Sequence, residues 1–344
     1  MTERVVSNVN EEYNLEFPLV SVISPCYNGE RYLKAFLDSV LQQSYPSIEL
    51  LLVDDASTDL SIEIARSYEK RFAEKGIIYH ILCSEKNRGA AAAINIGLQQ
   101  YRGSYLMWAD SDDILLPDNL SEKVHYLENH LEKDFVLCQM VSVNEHDLNT
   151  STFLWKREVP DGIDPMVEDL LLARNVLYGT NTILVRREAF ERAIPSNAIY
   201  ESRQGQNYQL LLPLAYCCNC GYLDRVLAKY VLHTDSHSNR KRSFEQQISR
   251  QKEFVILERE TLATIPGITE EDFQYYMKLG EQQLLNNELR FALQYCRFSH
   301  YRSTLRELES KGMEVYRTSK PFFYYGRRVK RGLISFLHCF AQNK

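Results

Sequence analysis

Short apolar runs alternate with amphipathic segments over the first third of the chain, and this alternation constrains the fold more than any other feature. Each run is bounded by polar or turn-forming residues, which is typical of strands buried in a parallel sheet. The segments between the runs space their apolar residues as amphipathic helices do. The order is therefore β-α-β-α-β-α-β, an α/β fold with a mostly parallel sheet flanked by helices. We predict strands at 19–24, 48–53, 77–82 and 105–109, and helices at 32–41, 62–68 and 90–101.

The rest of the chain is less regular. A strand is predicted at 134–143, and a polar stretch follows it to about residue 169. The character changes near residue 243, where helix-rich segments begin. With 344 residues and 44% hydrophobic side chains, the chain has room for one large domain and an appendage. We expect an N-terminal extension (1–17), a mixed α/β domain (18–240) and a helical C-terminal region with a basic aromatic tail (241–344).

Three polar loops follow the predicted strands, at 25–30, 54–59 and 110–113. Ligands of open α/β sheets lie at the carboxyl ends of the strands, so we expect these loops to converge on one site. The chain contains neither G-x-G-x-x-G nor G-x-x-x-x-G-K-[ST], so the common dinucleotide and phosphate-loop fingerprints are absent. The polar loops fit better a site in which carboxylates and a metal ion bind a nucleoside diphosphate.

The third loop carries three carboxylates, Asp110, Asp112 and Asp113. Oxygen ligands of this kind favour a hard divalent ion, Mg²⁺ or Mn²⁺, which keeps positions open for phosphate oxygens. The alternative is structural, since an Asp can cap the helix that follows or simply lie in a solvated loop.

Composition bears on the compartment and the partners. The net charge of −6 gives no general attraction to nucleic acid. No apolar run reaches the roughly 18 to 20 residues of a membrane-spanning helix, and residues 1–17 are unlike a signal peptide. We expect a cytoplasmic protein whose eight cysteines are reduced. The Cys217-Cys218-x-Cys220 cluster lacks the further ligands that a zinc site needs.

The last 25 residues hold six Lys or Arg and no Asp or Glu, beside the aromatic run Phe322-Phe-Tyr-Tyr325. Such a segment suits peripheral contact with anionic lipid through residues 320–344, at the inner face of the cell membrane. A terminal helix docked on the protein would look similar. A nucleic-acid-binding arm is disfavoured because the rest of the chain is acidic.

The motifs P-x-Y-N, V-D-D-x-S-x-D, N-R-G and D-x-D-D occur in this order over residues 18–135. In that respect the chain resembles the family 2 glycosyltransferases of the GT-A fold. The resemblance implies transfer of a sugar from a nucleoside diphosphate donor, here expected to be a UDP-sugar, to a saccharide hydroxyl with inversion and with Mn²⁺ or Mg²⁺. It also implies a role in bacterial capsule, O-antigen or exopolysaccharide assembly, with an acceptor that could be lipid-linked.

The resemblance also implies roles for individual residues. Pro25 and Tyr27 would flank the nucleobase, and Asp55 would accept a hydrogen bond from it, although turn formation alone also explains Asp54 and Asp55. Asp112 would bind the metal, with Asp110 towards the ribose and the metal's waters. Weaker candidates for contact with the donor, each with a structural alternative, are Glu30, Arg88 and Asn95. His233 would add a metal or phosphate contact, with His237 a lesser candidate.

The chain departs from the family where many relatives carry a Glu-Asp pair that supplies the general base. Gln206 and Asn207 stand there, and an amide cannot act as a base at neutral pH. Glu201 is the nearest carboxylate and our expected base; otherwise the acceptor brings its own activation, or the enzyme is impaired. Gln206, Asn207, Gln209 and Arg203 could contact the acceptor or have structural roles.

Two other functions compete. A catalytically silent protein that binds sugar nucleotides would explain the missing carboxylates. A nucleotidyltransferase also uses paired aspartates, but the basic Gly-rich loop that it needs is missing.

Overall fold

The computed structural model describes residues 17–159, 164–233 and 242–320. The strands are β1 (Val20–Cys26), β2 (Ile48–Asp54), β3 (Ile78–Cys83), β4 (Tyr105–Trp108), β5 (Ile114–Leu115), β6 (Phe135–Asn144), β7 (Asp147–Trp155), β8 (Ile183–Arg186) and β9 (Cys220–Leu232). The helices are α1 (Leu33–Leu41), α2 (Ser61–Ser67), α3 (Glu69–Lys75), α4 (Ala90–Leu98), α5 (Asn119–Asn129), α6 (Met166–Leu171), α7 (Arg187–Ala193), α8 (Gln206–Cys217), α9 (Phe244–Ala263), α10 (Glu270–Gln294) and α11 (Phe298–Ser310).

One sheet runs through the molecule in the order β3-β2-β1-β4-β8-β6-β9-β5, and β7 pairs with β6. The first four strands in this order are parallel, with Val20 of β1 beside both Ile48 of β2 and Tyr105 of β4. Their carboxyl ends therefore share one edge. Strand β8 is antiparallel to β4, whereas β9 is parallel to β6. The predicted α/β class, with parallel strands flanked by helices, is confirmed.

Burial on both faces explains why most residues of β1 and β2 are apolar. Val20 and Val22 of β1 pack in one core with Phe36 of α1, whereas Ile23 packs in the other core with Trp108 and residues of α4 and α8. Successive residues of a strand point to opposite faces. A strand covered by helices on both sides therefore needs apolar residues at nearly every position.

The C-terminal helices α9 and α10 pack on the domain that precedes them. Leu257 and Leu262 of α9 and Tyr276 of α10 belong to the same core as Ile23 and Trp108. Helix α9 begins with a capping box, in which Ser243 and Gln246 each accept a hydrogen bond from the other's backbone N–H. The domain boundary at 240/241 stays a prediction.

The structure contains elements that the sequence did not predict, among them β7 and α3. The polar stretch before residue 169 contains β7, which forms a hairpin with β6. Its side chains are mostly exposed, so it lacks the apolar pattern of a buried strand. The second predicted helix is followed by a further one, α3, which ends at Gly76 in the left-handed conformation.

Across the described parts of the chain, no helix combines the length and apolar character needed to traverse a bilayer.

Candidate functional site

The acidic loop Asp110–Asp113 follows β4 at the carboxyl edge of the parallel strands. Asp110, Asp112 and Asp113 each offer a carboxylate oxygen, and these atoms all lie within 4.8 Å of one another. Carboxylates this close repel one another when ionised, so a cation or protons must compensate their charge.

Asp113 is the member of the cluster with a clear structural role. It is buried and accepts hydrogen bonds from the backbone N–H of Val231 at 3.0 Å and from Asn181 Nδ2 at 3.1 Å. Buried Lys123 donates to the backbone carbonyl of Asn181 at 2.8 Å, which keeps that residue in place. Burial raises the pKa of Asp113 well above its usual value, with the negative charge of Asp112 adding to the effect. Asp113 therefore ties the acidic loop to β9.

His233 lies beside Asp112, directly after β9. Its Nε2 is 2.8 Å from Asp112 Oδ2, and its side chain is buried. The Tyr32 ring packs against the imidazole with centroids 4.3 Å apart, and its hydroxyl donates to Glu145 at 3.1 Å. His233 therefore lies at the acidic cluster, next to Asp112, and metal binding by it stays a prediction.

Gln206, at the start of α8, lies close enough to Asp110 to influence the pKa of its carboxyl. Burial and the charge of Asp112 raise the pKa of Asp110 to about 7, and the Gln206 contact acts in the opposite direction. A divalent cation at the cluster would restore ionisation because it favours the charged form of its ligands. The donor set of Asp110, Asp112 and His233 fits Mg²⁺ or Mn²⁺.

The first two loops are linked to each other by reciprocal hydrogen bonds. The backbone N–H of Asn28 donates to Ser57 Oγ, and Asn28 Oδ1 accepts from the backbone N–H of Thr58, both at 2.8 Å. Glu30 Oε2 accepts from the backbone N–H of Leu60 at 3.1 Å, so the carboxylate of this weaker donor candidate has a loop-bracing contact. These hydrogen bonds hold the two loops side by side, so that they form one continuous surface.

Two candidates for nucleobase contact differ in accessibility. Pro25 is buried within β1. The Tyr27 side chain is 50% exposed and can stack on a ligand. Contact of either residue with a base stays a prediction.

Asp54 and Asp55, at the end of β2, are both buried. Asp55 accepts hydrogen bonds from the backbone N–H groups of Arg88 at 3.0 Å and Gly89 at 2.6 Å. Gly89 has φ of 97°, a conformation that favours glycine. Asp54 Oδ2 accepts from the backbone N–H of Ser57 at 3.0 Å, as the turn interpretation predicted. A carboxylate has about four acceptor sites, so Asp55 can accept another donor.

Asn95, on α4, uses both ends of its amide on the backbone of Ile199. Its Nδ2 donates to the carbonyl and its Oδ1 accepts from the N–H, each at 2.8 Å. The observed contacts therefore support packing of α4 against this segment, and donor contact by Asn95 stays a prediction.

A six-residue segment, Glu201 to Gln206, contacts several parts of the site. The guanidinium of Arg88 donates to Glu201, with Nη2 2.5 Å from Oε1. Arg203 donates to the side chain of Asn87 and, at 3.1 Å, to its backbone carbonyl. Gln204 Nε2 donates to the carbonyl of Arg250 in α9 at 2.9 Å. The segment thus connects the acidic cluster, the Asn87–Gly89 loop and the C-terminal helices.

The remaining amides near this segment have structural contacts. Asn207 Nδ2 donates to the carbonyl of Tyr178 at 2.8 Å, and Gln209 Nε2 donates to that of Tyr200 at 2.9 Å. His237 and residues 321–344, which carry most of the predicted basic aromatic tail, lie outside the described residues.

Sequence reasoning missed several supporting residues, namely Tyr32, Lys123, Glu145 and Asn181. None lies in a motif, and a buried Lys resembles any solvated charge in a helical pattern. The one available signal was Tyr32, which stands close to the P-x-Y-N loop.

Known proteins resemble this chain in sequence. The profile of the family described as "Glycosyl transferase family 2" matches residues 21–231. An uncharacterized glycosyltransferase of Haemophilus influenzae is 34% identical over 181 residues, covering 52% of this chain and 66% of that protein. EpsE of Bacillus subtilis, named as a glycosyltransferase, is 29% identical over 231 residues, or 67% of this chain and 78% of EpsE. TuaG of the same organism, named as a glycosyltransferase of teichuronic acid biosynthesis, is 41% identical over 110 residues. Those residues are 32% of this chain and 42% of TuaG.

Solved structures share the fold. S. aureus TarS 1-349 in complex with UDP-GlcNAc superposes with a TM-score of 0.56 at 19% identity, covering 87% of this chain and 93% of that one. The mannosyltransferase PcManGT of Pyrobaculum calidifontis, in complex with GDP-Man and Mn²⁺, gives 0.53 at 17% identity, covering 91% and 80%.

Proposed function

Because this chain belongs to glycosyl transferase family 2, we propose that it transfers the sugar of a UDP-sugar to a saccharide hydroxyl, with inversion at the anomeric carbon. Its place would be bacterial surface-polysaccharide assembly. The name of EpsE supports a glycosyltransferase role, and the name of TuaG, with its teichuronic acid biosynthesis, supports such assembly. The complexes of TarS with UDP-GlcNAc and UDP support the donor class.

The observation that carries the proposal is the carboxylate cluster at the end of β4, with oxygens within 4.8 Å and His233 beside Asp112. Asp110, Asp112 and His233 would hold Mn²⁺ or Mg²⁺, which neutralises the donor diphosphate and stabilises it as it leaves. Asp113 would hold the acidic loop in position through its hydrogen bonds to Val231 and Asn181.

The nucleoside would lie across the first two loops. The exposed Tyr27 ring would stack on the base, and Asp55 would accept a hydrogen bond from it. Because two backbone N–H groups already hold Asp55, its carboxylate would need little reordering when a donor binds.

The acceptor hydroxyl oxygen would attack the anomeric carbon as the bond to the diphosphate breaks. Its proton would pass to Glu201, the carboxylate that we propose as general base. In the structure the Glu201 carboxylate accepts a hydrogen bond from Arg88, so this bond must break before Glu201 can accept the proton. The donor phosphates would then offer the Arg88 guanidinium another partner.

A thermal-shift experiment tests the donor half of the proposal. UDP-GlcNAc, UDP-glucose and GDP-mannose would each be added with and without Mn²⁺. We expect a rise in apparent melting temperature that needs both a UDP-sugar and the metal, because a ligand that binds only the folded state stabilises it. If no nucleotide sugar raises the melting temperature, the proposal fails.

One observation favours a second function. The amides of Gln206 and Asn207 stand where relatives carry acids, which would suit a silent sugar-nucleotide-binding protein. Hydrolysis or transfer of the bound donor in the presence of Mn²⁺ distinguishes the enzyme from the silent protein, for which binding without turnover is expected.

The acceptor could be carried on a lipid at the inner face of the membrane, with residues 320–344 touching anionic headgroups. Sedimentation with vesicles of anionic and of neutral lipid, for the full chain and for a chain ending before Lys320, tests this. Salt-sensitive binding that survives the deletion would contradict it.

A further inference from the structure

A cavity of about 240 Å³ lies between the Glu201 to Gln206 segment and the C-terminal helices α9 and α10. Its polar lining is formed by Gln204, Arg250, Gln251, Glu258, Gln283 and Asn287. Gly205 also lines it, and the next residue, Gln206, lies close to Asp110 of the acidic cluster. The cavity and the proposed metal site are therefore lined by adjacent residues, Gly205 and Gln206.

Arg250 brings a positive charge to the lining of this cavity. Its guanidinium makes no hydrogen bond or ion pair with any residue in the described ranges. Burial lowers the pKa of Arg250, the positive charge of Arg242 acts in the same direction, and the negative charge of Glu253 acts in the opposite direction. An anion beside Arg250 would relieve both costs, and a carboxylate or phosphate can receive two parallel hydrogen bonds from a guanidinium.

Glu258 is a buried acid in the same wall, with only 4% of its side chain exposed. Within the described residues it forms no ion pair. Burial raises the pKa of Glu258 to about 8, so at neutral pH this carboxyl is mostly protonated and can donate a hydrogen bond. A protonated Glu258 does not repel an anion bound to Arg250.

The other polar groups match a ligand with several hydroxyls. Gln204, Gln251, Gln283 and Asn287 present amides, and an amide offers a donor and an acceptor side by side. Gln204 already donates to the carbonyl of Arg250 at 2.9 Å and Asn287 Nδ2 to Gln251 Oε1 at 3.1 Å. Each of these amides keeps further hydrogen-bonding positions for a ligand. Each sugar hydroxyl is also both a donor and an acceptor. Phe254 in the same wall provides an apolar surface for the C–H face of a sugar ring.

We propose that this cavity binds an anionic sugar unit of the acceptor, a uronate or a sugar phosphate, through Arg250 and the surrounding amides. The inference rests on the proposed function, and it names the class of acceptor that the enzyme would accept.

The test uses the full chain saturated with UDP and Mn²⁺, so that the donor site is filled. Glucuronate, glucose 6-phosphate and glucose are titrated, and Kd is measured by ligand-observed NMR. We expect the wild type to bind at least one of the anionic sugars about tenfold or more tightly than glucose. Arg250→Gln should weaken the anionic sugar about tenfold and leave glucose unchanged, because it removes charge-assisted hydrogen bonds.

Arg259→Gln is the matched control, because Arg259 is an exposed residue of α9 outside the cavity. It should bind all three sugars like the wild type. Gln283→Ala is the second variant and should weaken anionic and neutral sugars alike. Equal Kd values for anionic and neutral sugars, or wild-type affinity in Arg250→Gln, would overturn the inference. Failure of UDP and Mn²⁺ to bind would overturn the proposed function instead, and the sugar titrations would then be judged without nucleotide.

Discussion

Arg88 and Glu201, which are 113 residues apart in sequence, form an ion pair at the edge of the candidate site, with Nη2 2.5 Å from Oε1. The pair joins a residue proposed to approach the donor to the residue proposed to activate the acceptor. Both side chains are nearly half exposed, so the pair contributes at most about 1 kcal/mol to stability. We therefore expect the Arg88–Glu201 ion pair to affect turnover more than stability.

Glu201→Gln should lower kcat by about 10² to 10⁴-fold, the usual contribution of a general base. Binding of the UDP-sugar and the unfolding free energy should change little. Steady-state kinetics with a saccharide acceptor measures the effect, and Glu188→Gln, at an exposed position of α7, serves as the control. Unchanged turnover would exclude Glu201 and reopen the assignment of the base.

Asp112→Asn should abolish the stabilisation that needs both UDP-sugar and Mn²⁺, because it removes the charge of the proposed metal ligand while keeping the shape of the side chain. Thermal shift in the presence of both ligands is the measurement. Asp224→Asn, on the exposed part of β9, should behave like the wild type. An Asp112 variant with wild-type transfer rates in metal-containing buffer would rule out the assignment.

His233→Ala should weaken Mn²⁺ binding by about 10 to 100-fold, since groups that contact or orient metal ligands typically contribute that much. Titration of Mn²⁺ in the presence of UDP, followed by electron paramagnetic resonance, measures the affinity. His125→Ala, in an exposed part of α5, is the control. Equal affinities in the three proteins would leave His233 with a packing role only, against the Tyr32 ring.

Gly280→Ala should destabilise the protein, although Ala normally stabilises a helix interior by about 1 kcal/mol relative to Gly. A Cβ at Gly280 would lie 1.5 Å from Glu258 Oε1. The buried carboxyl must then move, and overpacking of this kind costs about 1 to 3 kcal/mol. Urea denaturation measures the free energy of unfolding. A second Glu258→Ala change should recover part of the loss, and strict additivity of the two changes would contradict this explanation.

Glu258 should also make stability depend on pH. Burial raises its pKa from 4.5 to about 8 in the folded protein, so between these values the folded state binds more protons than the unfolded state. This contribution to stability is present at pH 4.5 and is lost as the pH rises to 8. Urea denaturation at several pH values should give a shallower decline for Glu258→Gln than for the wild type, and identical slopes would argue against the shift.

The parallel half of the sheet could be predicted from the sequence because its signals are local. Strand β1 begins one residue after its predicted first residue, and β2 begins at its predicted first residue. The three polar loops then follow from the rule that ligands lie at the carboxyl ends of parallel strands. The same rule places the acidic loop at this edge, whereas His233 was expected there only from the family resemblance.

The rest depends on contacts between distant parts of the chain. Nothing in the sequence near Asp113 indicates that Val231 will donate to it, and nothing near Gln206 points to Asp110. The hairpin strand β7 has mostly exposed side chains, and such strands carry a weak apolar pattern. These features depend on tertiary contacts, which cannot be inferred from the pattern of a single sequence.

The docking of β9 has a consequence for how the protein folds. Strand β5 pairs only with β9 among the described strands, through Ile114 beside Lys229, and the bonds to Asp113 and Asp112 span 118 and 121 residues. Closing such long loops is entropically costly, and contacts of large sequence separation form slowly. The three aspartates are therefore synthesised before β9 but acquire their arrangement late, after β9 has emerged, and the proposed metal site is incomplete until then.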